Sequence, residues 1–169
     1  MTDRDALIAA LLEIERHVGR QGWDQPPRLF ALVLTADLLA AEPGLFGELG
    51  APTSPDALSS IEQDSFPSGG DAVSALAGIT WPSTVLGCAM SLERAFLPAG
   101  LDEDIPADGE RAAAFVAAHP QRHDVRVVVG VTRDGSGHGV GRLRSNPHDL
   151  LGADDLVPGL AAALARTLE

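Results

Sequence analysis

Between His123 and Arg144 the chain alternates. Val125, Val127, Val129 and Val131 fall on one face of an extended segment, and Thr-Arg-Asp-Gly turns it back through the glycine-rich run ending at Arg144. Alternation at period two closed by Asp-Gly predicts a β-hairpin. After it, Leu160, Leu164 and Leu168 make one stripe and predict a helix over Pro158–Leu168. Pro158 suits its first turn, and Asp154 and Asp155 complement its positive end.

The N-terminal part has helical period instead. Thr2 with Asp5 forms a capping pattern, and Leu7, Ala10, Leu11, Ile14 and Val18 share one face until Gly19 and Gly22 end it. Pro26 and Pro27 forbid a helix, so the apolar run Arg28–Thr35 predicts a buried strand. Ala36–Gly50 predicts a short helix broken at Pro43, and Leu58–Asp64 a weak strand. Asp71–Ile79 predicts another short helix, and Glu110–Ala118 a third, stopped at Pro120. Leu86–Leu97 fits strand or helix, and Gly87 with the flanking Pro82 and Pro98 favours strand. The stretches around Gly50–Asp56 and the acidic LDEDIPADGE run predict loops.

These elements imply a single α+β domain over residues 1–169. Its mainly antiparallel sheet has about five strands with helices packed on it, ending in a β-hairpin plus helix. A parallel, doubly wound sheet is the alternative, because helices separate the early strands. A chain of 169 residues suits one domain, burying about 70% of its unfolded surface. The hydrophobic fraction of 45% and mean hydropathy of +0.09 fit a packed core. Twelve arginines with no lysine and no tyrosine reflect a GC-rich genome rather than a mechanism.

The formal charge of −12 sets nucleic acid and anionic membranes aside as partners, since either would have to cross a repulsive field. It fits plain solubility first and a basic partner second. A single cysteine, Cys88, precludes an internal disulfide and suits a reducing compartment. Asp3, Asp5, Glu13 and Glu15 interrupt the apolar positions of the opening segment, so it reads as neither signal peptide nor membrane span. A cytoplasmic location is the expectation.

Candidate chemistry is sparse. His119 and His123 stand four apart, but Pro120 prevents the helix that would bring them to one metal. They read as surface residues at a helix-to-strand corner. His17, one position off the apolar stripe, reads as a half-buried boundary residue. Cys88 sits among Leu86, Ala89 and Met90 as a small hydrophobe would, with no histidine placed beside it. The GSGHGVG run lacks the Lys-Ser/Thr of a phosphate loop and opens no helix. No GxSxG elbow is present. Glu13 with Glu15, and Asp102 with Glu103 and Asp104, are neighbours that share no helix face. No cofactor or metal is implied.

Three strand arginines offer more. Arg126 points away from the valine face, and Arg142 and Arg144 share a face of the next strand. Paired with Glu62 and Glu93 across the sheet they would form a solvent-side ion-pair ladder. Left open they would line a groove for a carboxylate or phosphate, because guanidinium forks pair with such groups bidentately. Trp23-Asp24-Gln25 precedes the buried strand. Trp23 would plug the core edge or anchor a partner, and Asp24 would cap amides or pair with Arg28.

Several runs, LLEIERHV, GWDQPPRLFALV, ITWP followed by LERAFLP, DVRVVVGVTRDG and DLVPGLAAALARTL, carry a likeness over most of the chain. They resemble an uncharacterised family of actinobacterial proteins first labelled from a propionibacterial member. That resemblance implies a cytosolic domain and transfers no activity, cofactor or catalytic residue. In architecture the chain is also similar to secretion-chaperone-like folds, which dimerise and bind extended client segments; this is analogy only. The reading that follows is a non-enzymatic binding or adaptor protein, a homodimer recognising a protein segment, with Trp23, Asp24 and Arg28 as candidate partner contacts. Its alternative is a small enzyme or anionic-ligand domain using Arg126, Arg142 and Arg144.

Overall fold

The valine strand is buried on both faces, and that fixes the layering. In a computed structural model, describing residues 3–45, 47, 55–64, 66, 72–96, 106, 109–153, 157 and 159–169, β4 runs His123–Thr132. Val127, Val129 and Val131 lie in one apolar cluster and Val128 in a second, on the opposite side of the sheet. A sheet with two buried faces needs a helical layer on each.

The elements in chain order are α1 (Asp3–Gly19), β1 (Arg28–Leu34), α2 (Thr35–Ala41), a 3₁₀ turn at Pro43–Leu45 and β2 (Leu58–Glu62). Then come α3 (Ala72–Ala75), a 3₁₀ turn at Leu76–Gly78, β3 (Gly87–Phe96), α4 (Gly109–Ala118) and β4. β5 (Gly137–Leu143), β6 (Asn146–Ala153) and α5 (Leu160–Thr167) complete the described order. The sheet has the order β2-β1-β3-β4-β5-β6, every neighbouring pair antiparallel. The α+β expectation holds, and the doubly wound alternative is excluded.

The α1 stripe of Leu7, Ala10, Leu11, Ile14 and Val18 packs with Phe30, Leu32, Ala89, Val128 and Val140. Contact is close at Gly130, where a Cβ would sit 2.6 Å from Leu11 Cδ2 and would force that side chain to shift. On the other face Leu160, Ala163, Leu164 and Leu168 pack with Leu29, Ala31, Cys88, Met90 and the three valines. The terminal helix thus lies on the valine face. The hairpin turn is held by Gly135 at φ 93° and by Thr132 N–H donating to the Ser136 carbonyl at 2.9 Å.

Some expectations change. A sixth strand, β6, follows the hairpin; its pairing with β5, rather than any alternation in NPHDLLGA, makes it a strand. The Leu86–Leu97 ambiguity resolves to strand β3. The predicted Asp71–Ile79 helix is a short α-turn running into a 3₁₀ turn. The Arg126 face is not the solvent side, because α1 covers it and leaves Arg126 2% exposed. The Thr2 cap, Asp102 to Asp104, and Asp154, Asp155 and Pro158 lie outside the described residues.

Candidate functional site

Cross-strand register places Glu93 opposite Arg126 and Arg126 opposite Arg142, one row across β3, β4 and β5. Like charges directly opposite one another destabilise a sheet unless something compensates them. The compensation comes from α1. Glu15, 2% exposed, accepts from Arg142 Nε at 2.6 Å and Nη2 at 3.0 Å, and its Oε1 lies 3.7 Å from Arg126 Nη1. This forked hydrogen bond holds the Arg142 guanidinium pKa above its ordinary value. Arg142 also donates to the Pro147 carbonyl.

Arg126 reaches past Glu15 to the α1–β1 loop. Its Nη2 donates to the Gly22 carbonyl, and its guanidinium lies 4.4 Å from the Trp23 ring centroid. Arg144 approaches the same ring at 5.5 Å, and pairs with Asp24 at 3.5 Å and Asp124 at 3.9 Å. Arg126 Nε is buried without a hydrogen-bond partner among the described residues.

Among the described residues Glu93 does not pair with an arginine. Its two carboxylate oxygens accept the backbone N–H groups of Asp24 and Gln25, both at 2.9 Å. Asp24 takes φ 64°, a left-handed conformation that aspartate tolerates better than most residues, and this presents both amides to Glu93. The Gln25 side chain donates to the carbonyls of Val18 and Gly22. Arg28 donates to Gln25 Oε1 at 2.9 Å and, through Nε, to Glu62 at 2.8 Å. That bond to Arg28 lowers the Glu62 pKa below its usual 4.5 and raises that of Arg28.

Five of the six residues singled out from the sequence, Trp23, Asp24, Arg28, Arg126 and Arg144, meet at the loop joining α1 to β1, and Arg142 holds Glu15 of α1 and the Pro147 carbonyl instead. Arg126, Arg142 and Arg144 do not open into a groove; each guanidinium faces a carboxylate. Trp23 is half-buried between two of them. Asp24 pairs with Arg144 rather than Arg28. The residue that sequence reasoning missed is Glu15. Its signal was present, since it stands four after Leu11 and three before Val18, inside the apolar stripe rather than beside it.

The remaining candidates are also placed. Cys88 is fully buried, and burial pushes its thiol pKa up to about 11 against weaker lowering by Thr167, Trp81 and Arg133. His17 is exposed rather than half-buried, 4.0 Å from Glu62. His119 accepts from the Gln121 N–H at the corner ending α4. Among the described residues no cluster of three metal-ligating side chains occurs, and no helix is long and apolar enough to cross a membrane.

Both outer strands carry exposed apolar groups, with Ile61 on β2 at 40% and an adjacent pair on β6. Leu150 and Leu151 on β6 are 40% and 45% exposed. The ladder to β5 skips from Leu143–Asn146 to Arg142–Leu150, so Pro147, His148 and Asp149 bulge out of register and residues 150–153 pair regularly. Residues 7–169 match the family described as PPA1309-like protein, and the chain belongs to that family. No curated protein matches it, and no solved structure does.

Proposed function

We propose that this PPA1309-like protein is a non-enzymatic, cytoplasmic binding or adaptor protein that takes an extended protein segment as an added strand on β6. The observation that carries this reading is an edge with adjacent exposed leucines, 150 and 151, on opposite faces of a regularly paired half-strand. Edge strands are normally blunted by proline, charge or bulges. Here Pro147 and the bulge blunt only the first half. The second half offers main-chain groups for strand addition and two apolar contacts for side-chain selection. The charge of −12 favours a basic segment by raising its encounter rate. Without the segment, a second copy covers the same edge about a two-fold axis, the homodimer expected from the sequence.

Support also comes from what the interior does. The arginines expected to receive an anion hold Glu15 and the α1–β1 loop, and the lone thiol is sealed and kept protonated.

Full-length protein is compared with L150E/L151E and, at the opposite edge, with I61E, each first shown folded by circular dichroism. Sedimentation gives a dimer for wild type and I61E and a monomer for the β6 variant. Quantitative mass spectrometry of proteins captured from host lysate shows the same partner retained by I61E and lost by L150E/L151E. Identical sedimentation and capture for all three would refute the proposal.

A further inference from the structure

At the end of the sheet remote from the arginine row, five chain segments leave a cleft of about 230 Å³. Its walls are largely apolar, built from Ala6 of α1, Leu34 at the end of β1, Leu58 at the start of β2 and Leu86 before β3. Polar groups enter at Asp56 and at the β4–β5 turn. The turn's arginine is committed elsewhere: Arg133 donates to the carbonyls of Val85, Trp81, Pro82 and Leu168. Asp134 accepts from Thr132 Oγ1 and the Ser136 N–H. Asp56 forms no ion pair with any described cation and is half-buried at this apolar mouth.

Asp56 and Asp134 against Arg133 leave the lining with one net negative charge, and an apolar cleft of that balance selects by charge. A neutral hydrocarbon fills the walls and leaves Asp56 partly desolvated, and an anion is repelled both locally and by the net charge of −12. A cation with an apolar body satisfies both parts. Size narrows the class, because benzene occupies an engineered cavity of about 150 Å³. A cleft of about 230 Å³ takes a ring of that size and a short arm.

We propose that this cleft is a binding site for a small arylalkyl or alkyl primary amine, its apolar body against Leu34, Leu58 and Leu86 and its ammonium against Asp56. The site is separate from β6, so the strand-addition reading stands or falls independently of it.

The test uses the full chain with 2-phenylethylamine, 2-phenylethanol and phenylacetate, followed by isothermal titration calorimetry. The amine binds saturably and at least tenfold more tightly than the alcohol, and phenylacetate does not bind. D56N weakens the amine about tenfold, a difference of about 1.4 kcal/mol, and leaves the alcohol unchanged. L86W fills the chamber and removes binding of both, with its fold checked by circular dichroism. Equal affinity for amine and alcohol, no saturable amine binding by wild type, or amine binding unaffected by D56N would overturn the proposal.

Discussion

Replacing Glu15 by glutamine keeps the shape of the side chain and removes the charge that two guanidiniums share. The consequences for the two partners differ. Arg142 is 25% exposed in its side chain and can recover water, whereas Arg126 is 3% exposed and cannot. At about 4 Å and an effective dielectric of 20, the direct attraction is about 4 kcal/mol. Removing one partner of a buried pair destabilises proteins by about 3–5 kcal/mol, since the other charge stays buried. E15Q is therefore expected to lose about 3–5 kcal/mol, and R142Q distinctly less. Urea unfolding followed by tryptophan fluorescence measures this, because Trp23 lies against Arg126 and reports the cluster directly. With a slope of about 2 kcal/mol/M, the midpoint falls by about 1.5–2.5 M with the slope unchanged. The double variant E15L/R126M removes both buried charges and is expected to regain most of the loss. If E15Q loses under about 1 kcal/mol, or the double variant is no more stable than E15Q, the cluster is not a buried charge compensation and the reasoning fails.

Two further outcomes follow from packing and burial. Gly130→Ala places a methyl 2.6 Å from Leu11 Cδ2 and 3.4 Å from Ala89 Cβ; overpacking lowers stability by about 1–3 kcal/mol. Gly44→Ala, whose added methyl meets nothing within 4 Å, shifts it by under about 0.5 kcal/mol in the same urea unfolding. The buried Cys88 thiol titrates near 11 when folded and near 9 when unfolded. The native state then holds its proton more tightly, so this contribution is intact below pH 9 and is lost as pH rises toward 11, by about 2–3 kcal/mol. The chain has no lysine and no tyrosine, so no other side chain normally titrates in that window. Chemical denaturation from pH 8 to 11 shows the decline in wild type and a flat profile in Cys88→Ala; parallel profiles would refute it.

Periodicity made the layers legible. The Leu7–Val18 stripe and the valines of β4 identified one helix and one strand before any contact was known, and both lie in the core. What periodicity could not show was the second buried face of β4. Arg126 shares the parity of Val128, and a lone arginine in that position reads as solvent-facing when no helix is known to cover it. The sixth strand was hidden for a related reason. Asn146–Ala153 is an edge element with a proline and a bulge, so its strand character comes from its neighbour β5 and not from its own residues. Glu93 was expected to meet an arginine as a charge on another strand of the same sheet, and the register does put it opposite Arg126. The loop conformation at Asp24, φ 64°, turns two amides toward it instead, and no sequence pattern encodes that competition.

The fate of the arginines joins these findings. Arg126, Arg133 and Arg142 all act over long sequence separations, tying β4, β5 and their turn to Glu15, to the Gly22 carbonyl and to the carbonyls around Trp81 and Leu168. Cations committed inward in this way leave the exposed carboxylates less compensated. The partner proposed for β6 and the amine proposed for the Asp56 cleft would both meet a field that favours positive charge. The distinction between the two proposed places is geometric: an edge strand would select an extended backbone, and a cleft of about 230 Å³ a compact body. Raising the ionic strength would weaken approach to either, whereas Asp56→Asn and Leu86→Trp act on the cleft and the Leu150 and Leu151 substitutions on the edge.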